Sequence, residues 1–270
     1  MEPLRQKAFT TSSVTIKYWT SDTPEKPTVF LMHGAAMDHD MFKPQLEVLQ
    51  DYNVIAWDAR GHGESRPVQG SFTITNLAND ALSILDSLNI DSAIFIGQSE
   101  GSMIAQEIYR LKPSVVKALV SIGGSPIMLQ YSKMDIWLLN VSTLIIKAWP
   151  YSNFMQALAK KTAVTKEVQD YALNTVGKIS QKDFLSIWSG VTSSISVAGI
   201  TDMHITAPLL ITYGDQDTTG TVMKNNIRWK EYEPSSELVV VPNAGHNANQ
   251  DNAAFFNQLL ANFLVSISLQ

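Results

Sequence analysis

The sequence predicts an α/β fold: a mostly parallel central sheet with helices on both faces, interrupted by one helical insertion. Three observations carry this expectation. Short apolar runs alternate with longer stretches of helical periodicity. Most runs are apolar at successive positions, as strands covered on both faces must be. Most also end in a glycine-containing turn. Val14–Trp19 alternates and reads as a half-exposed strand. Thr28–Met32, Asn53–Trp57, Ala93–Ile96, Lys117–Ile122, Leu209–Tyr213 and Leu238–Val241 read as buried strands. Between them, Ile74, Leu77, Ala78, Ala81, Leu85 and Leu88 recur at helical spacing, as do Ile104, Ile108 and Leu111. Phe256, Leu259, Leu260, Phe263, Leu264 and Ile267 do the same near the end.

The rhythm stops between Gly124 and Pro208. Trp137, Leu138, Leu144, Trp149, Phe154, Phe184 and Trp188 are spread through this interval at roughly helical spacings. A structureless loop of that length inside a compact domain is improbable, so it reads as a helical insertion. The expected division is a core domain of residues 1–124 and 206–270, with a helical cap at 125–205.

Composition bounds the function. The chain has 270 residues, 45% hydrophobic and 17% charged, enough apolar content for a substantial core. Twenty basic against 25 acidic residues give a net charge of −5, which argues against nucleic acid as a partner. Cysteine is absent, which excludes disulfides, thiolate nucleophiles and zinc–thiolate sites. Met1–Ser13 has no apolar core of a secretory signal. Ile136–Trp149 is too short and too polar to span a bilayer, although contact with a lipid surface is an alternative use for it. The expectation is a soluble cytoplasmic protein, monomer or homodimer, without stable membrane insertion.

The chemistry concentrates in a few turns. Gly97-Gln98-Ser99-Glu100-Gly101 follows an apolar run and precedes a helical pattern, the context of a nucleophile elbow. Such a turn puts the serine hydroxyl at a helix N-terminus, where developing negative charge is favoured. A serine needs a base. Among His33, His39, His62, His204 and His246, the last follows the final strand run and is the candidate, with His33 and His62 as rivals and His39 and His204 read as exposed or cap residues. The base needs an orienting carboxylate. Gly214-Asp215-Gln216-Asp217 supplies one at the same rim: Asp217 is the candidate, and Asp215 reads as a brace for the loop. Arg60 and Asp58 are expected to pair. A metal site from Asp58, His62 and Glu64 lacks a second ligand cluster to support it.

His33-Gly34-Ala35-Ala36, Asp58 to Ser65, Gly97 to Gly101, Gly214 to Asp217 and Gly245-His246 occur in that order over nearly the whole chain. In this the sequence resembles the α/β-hydrolase superfamily, in its capped, esterase- and lactonase-like branch. The resemblance implies a serine hydrolase with the triad Ser99, Asp217 and His246. It also implies an oxyanion hole from the backbone N–H groups of Ala35 and Glu100. The expected reaction is hydrolysis of a small-molecule ester or lactone through an acyl-enzyme, needing neither metal nor organic cofactor. An amidase, an aminopeptidase or a C–C bond hydrolase on the same triad is the alternative, as is a slow-turnover small-molecule receptor. Glu100 departs from the apolar residue common after the nucleophile. Its side chain is expected either to recognise a cationic substrate group or to point away, solvated or paired with a basic residue. Trp137, Leu138, Trp149, Phe154 and Trp188 are candidates for lining the pocket or for forming the cap's own core.

Overall fold

The computed structural model describes residues 3–11, 14–196 and 202–268. The outer limits of the expected domain division, residues 1, 2, 269 and 270, and the stretch 197–201 lie outside them, as do residues 12 and 13. The strands are β1 (Arg5–Thr10), β2 (Thr15–Thr20), β3 (Thr28–Met32), β4 (Asn53–Asp58), β5 (Ala93–Gln98), β6 (Val116–Ile122), β7 (Leu209–Gly214) and β8 (Glu237–Val241). They form one sheet in the order β1-β2-β4-β3-β5-β6-β7-β8. The β1–β2 and β2–β4 pairs are antiparallel and all later pairs parallel.

Both faces of the central strands are apolar, and neighbouring residues serve opposite cores. Phe30, Ile55, Trp57, Phe95, Leu119 and Ile211 pack into one core, with α1 (Ile74–Ser87), α2 (Glu100–Leu111) and Trp229. Val29, Leu31, Val54, Ile94, Ile96, Val120 and Leu210 pack into the other, with the last helix, Ala253–Ser268. This two-sided burial is why those runs lack alternation. The edge strand β1 carries Arg5, Gln6 and Lys7, is mostly exposed, and so gave no apolar signal. Two further elements escaped the sequence reading because they are polar or short: a 3-10 turn at His39–Gln45 and the helix Val222–Tyr232.

Between β6 and β7 lie α3 (Lys133–Ala148), α4 (Tyr151–Thr162), α5 (Lys166–Val176) and α6 (Gln181–Ser196). Tyr151, Phe154 and Phe184 cluster at ring separations of 4.9–6.3 Å and give these helices a core. Trp188 Nε1 donates to Ser142 Oγ at 2.9 Å, tying α6 to α3.

The expected Arg60–Asp58 pair does not form. Arg60 instead makes a two-pronged pair with Asp80 on α1, at 2.7 and 2.6 Å, both side chains nearly buried. Asp58 accepts from His39 Nδ1 at 2.9 Å and from the N–H groups of His39 and Glu64. Nor is His39 a free cap residue, since its ring also stacks on Trp19 at 3.3 Å. His204 stacks on Tyr232 and is half exposed. Burial pushes the Asp80 carboxyl up despite Arg60 beside it. Asp80→Ala leaves a buried guanidinium unpaired and is expected to cost about 3–5 kcal/mol by urea denaturation. Arg60→Met with Asp80→Leu should recover part of that loss. Equal destabilisation by the single and double variants would show that the pair is not the source.

Candidate active site

Ser99 stands between the end of β5 and the first turn of α2, with φ 49° and ψ −107°. A non-glycine residue in this region is strained. Its N–H donates to Ile122 O at 2.8 Å, and its carbonyl accepts from Ser102 N and Met103 N. A Cβ on Gly97 would collide with the Gly101 backbone, and one on Gly101 with the Met32 carbonyl. The two glycines therefore let the helix start against the strand ends. The N–H groups of Glu100 and Ala35 lie in the turns after β5 and β3, the latter turn closed by Met37 N to Gly34 O at 3.1 Å.

Asp217 and His246 meet at the same rim. His246 Nδ1 and Asp217 Oδ2 are 2.8 Å apart, and Asp217 Oδ1 accepts from Thr219 N at 2.8 Å. Burial opposes ionisation of Asp217, but the His246 ring and the Thr219 N–H outweigh it and hold the carboxyl below the usual range. With Nδ1–H donated to the carboxylate, Nε2 is the free basic nitrogen. Asp215 braces the loop by accepting from Ala244 N at 3.1 Å.

Ser99 and His246 line one cavity of about 380 Å³. No hydrogen bond joins the Ser99 hydroxyl to His246 among the described residues; such contacts are often long without substrate. Met103, Leu138, Leu139, Trp188, Val191 and Ile195 make the walls mainly apolar. Of the aromatic and apolar candidates, Leu138 and Trp188 face this cavity and Phe154 is in the helical core. Trp149, though partly exposed, packs edge-on against Phe154 at 6.3 Å, and Trp137 is exposed and outside the cavity wall.

Two positioning residues were not anticipated. Gln98 Nε2 donates to the His246 carbonyl at 3.0 Å, linking the residue before the serine to the histidine loop. The Asp251 carboxylate accepts from Gly245 N, Val164 N and Thr165 N, each at 2.9 Å, linking that loop to the α4–α5 junction. Asp251 lay in a polar stretch with no spacing signal, and the amide of Gln98 was hidden by its place in the serine motif.

The Glu100 side chain is absent from the cavity wall, in line with its pointing away, but it is fully buried rather than solvated and pairs with no lysine or arginine among the described residues. Its Oε2 lies 3.6 Å from Nε2 of His62, which is also fully buried. Neither Glu100 oxygen nor His62 Nε2 has a hydrogen-bond partner. His62 Nδ1 is 3.1 Å from Arg60 O and donates there, which leaves Nε2 as an acceptor. His33 lies beside it, ring centres 4.8 Å apart, with Nδ1 donating to Gly34 O and Nε2 accepting from Ala59 N. Both rival histidines are thus structural. Burial pushes the Glu100 carboxyl up to about 8 and holds the His62 ring down at about 3. At neutral pH the pair is uncharged.

The comparisons agree with this architecture. Residues 27–145 match the family model described as the alpha/beta hydrolase fold, a span that includes Ser99 but neither Asp217 nor His246. A 3-oxoadipate enol-lactonase 1 of Acinetobacter baylyi is 40% identical over 80 residues, 29% of this chain and 30% of that protein. The matches to the first curated relatives span only 30–40% of those proteins' lengths. A thermophilic esterase from Thermogutta terrifontis superimposes with a TM-score of 0.80 at 20% identity, covering 97% of this chain and 99% of that one. The enol-lactonase from Burkholderia xenovorans LB400 gives 0.75 at 19%, covering 96% and 100%. The fold is that of the α/β hydrolases.

The buried acid sets a pH signature. Glu100's folded value lies above its ordinary 4.5, so its contribution to stability is complete below about 4.5 and is lost as pH rises through about 8. His62 acts oppositely: its value lies below its ordinary 6.5, so its contribution is lost as pH falls through about 3. Glu100→Gln keeps the shape and removes the charge. Its melting temperature is expected to fall less than the wild type's between pH 5 and about pH 9. Parallel curves for the two proteins would mean that Glu100 does not titrate in the fold.

Proposed function

We propose that the protein is a serine hydrolase of carboxylic esters or lactones of small molecules. One observation carries this reading: Ser99, in its strained turn, and His246, paired with the buried Asp217, line one mainly apolar cavity. The hydrolase superfamily and the enol-lactonase relative support it.

In this reading Ser99 attacks the substrate carbonyl while His246 Nε2 takes its proton. Asp217 fixes the ring tautomer and stabilises the imidazolium. The N–H groups of Ala35 and Glu100 hold the oxyanion, aided by the α2 N-terminus. His246 then protonates the leaving oxygen, and the acyl group stays on Ser99. Water, activated by His246, releases the acid. The helices of residues 125–205 act as a cap, with Leu138, Leu139 and Trp188 as the roof of the acyl pocket. Each step needs only side chains and backbone of this chain.

Ser99→Ala is expected to abolish hydrolysis of p-nitrophenyl butyrate without changing the melting temperature by more than about 2 °C. Asp217→Asn should lower kcat by about 10³–10⁴-fold. A fluorophosphonate should label Ser99 in the peptide map. Full activity in Ser99→Ala, or labelling elsewhere, would overturn the assignment. Stoichiometric retention of ligand without turnover in the wild type would favour a receptor instead.

A further inference from the structure

The helix α3 is apolar on both sides. Ile136, Leu139 and Ile146 turn inward, and Leu138 reaches the cavity wall. The opposite side carries a second row of large apolar residues that are exposed. Met134, Trp137, Leu138, Leu144, Ile145 and Trp149 are all exposed, Met134 and Leu144 by 63% and 66%. Of these, Met134, Trp137, Leu138 and Ile145 share the spacing of one helix face with the half-buried Val141 and the exposed Ala148, over about 20 Å. Large apolar side chains scattered singly are ordinary; a continuous stripe of them marks an interaction surface.

Two features say what covers it. Leu138 belongs both to the stripe and to the cavity wall, so whatever lies on the stripe lies at the cavity entrance. A protein seated there would obstruct the route to Ser99, whereas an amphiphile surface would feed it. Second, the helix has exposed lysines at its ends, Lys133 and Lys147. Its single acid, Asp135, is engaged by Ser132 and faces the cavity. The insert as a whole has more lysines than acids, in a chain of net charge −5. An apolar stripe flanked by lysines suits the headgroup boundary of an anionic lipid surface. No helix among the described residues is long and apolar enough to cross a membrane, so the contact is peripheral.

We propose that the outer face of α3 docks on the surface of anionic, aggregated amphiphiles and that the substrates are apolar esters drawn from it into the Ser99 cavity. The substrate half of this statement rests on the hydrolase reading above; the docking half does not.

The test uses the whole chain, its Ser99→Ala variant and Trp137→Ser with Ile145→Ser, two exposed positions outside the cavity wall. Binding is read by sedimentation with vesicles of phosphatidylcholine, alone or mixed with phosphatidylglycerol. Activity is read on p-nitrophenyl butyrate in solution and on p-nitrophenyl palmitate in mixed phosphatidylglycerol–detergent micelles. The wild type and Ser99→Ala should both bind the anionic vesicles, more tightly than the neutral ones. The stripe variant should bind at least about tenfold more weakly. It should lose micellar turnover by a similar factor and keep its activity on the soluble ester. Absence of wild-type binding to anionic vesicles overturns the proposal, as does a stripe variant that retains both binding and micellar turnover. A wild-type dimer that the stripe variant dissociates, with no vesicle binding, would assign the stripe to a second copy and also overturn it. Failure of the hydrolase reading has a separate signature: no ester turnover by the wild type, with vesicle binding intact.

Discussion

Ser99 holds a backbone conformation, φ 49° and ψ −107°, that costs about 1–3 kcal/mol and persists only because its surroundings impose it. The two elements flanking the turn are buried almost throughout. All six residues of β5 are buried, with β3 and β6 on either side. The Ser99 N–H is anchored on Ile122 O, across the β5–β6 pair. Ten of the twelve residues of α2 are buried, so the helix has little room to move away from the strand. The chain must reverse within one residue, and the side chain of that residue is forced clear of the sheet edge. Two glycines make the approach of α2 sterically feasible. The hydroxyl's position is thus a consequence of sheet and helix packing, and its precision derives from that rigidity.

The other members of the site are held to the same frame by polar contacts. Gln98 connects the serine turn to the His246 carbonyl, and Thr219 N–H orients the carboxylate that receives the histidine. Asp251 ties the histidine loop to the junction of α4 and α5, and Asn247 N adds a bond to Thr162 O at 2.9 Å. These contacts cross long sequence distances, so the geometry of His246 depends on how the insertion is seated as well as on the sheet. Motion of α4 and α5 would be transmitted to the His246 loop by way of Asp251.

What could be read in the sequence follows from this division. The buried strands were legible because double-sided burial demands apolar residues at successive positions, as in Val29 to Met32. The placement of Ser99, Asp217 and His246 at one rim was legible because each sits where a strand run stops and a turn begins. Residues whose role depends on a distant partner were not. Arg60 was matched to the nearest acid in sequence, Asp58, but the fold presents Asp80 from α1. Glu100 was read by its place beside the serine, whereas its contact, His62, lies 38 positions earlier and meets it only through tertiary packing. β1 was missed because an exposed edge strand needs no apolar pattern.

Glu100 also shows how competing electrostatic effects are decided at this site. As the first residue of α2 it lies where the helix dipole favours a negative charge, by about 0.3–1 kcal/mol at exposed positions. Removing a carboxylate from water costs several kcal/mol when no cation or donor replaces the solvent. Among the described residues its oxygens have no donor, and His62 beside it is held neutral, so desolvation wins and the acid keeps its proton. A charged carboxylate on that residue would oppose an oxyanion bound at its own N–H, because the two charges would share a region of low dielectric. The neutral acid imposes no such penalty. Burial of the side chain away from the cavity therefore leaves the N–H of Glu100 as favourable a donor as that of an apolar residue.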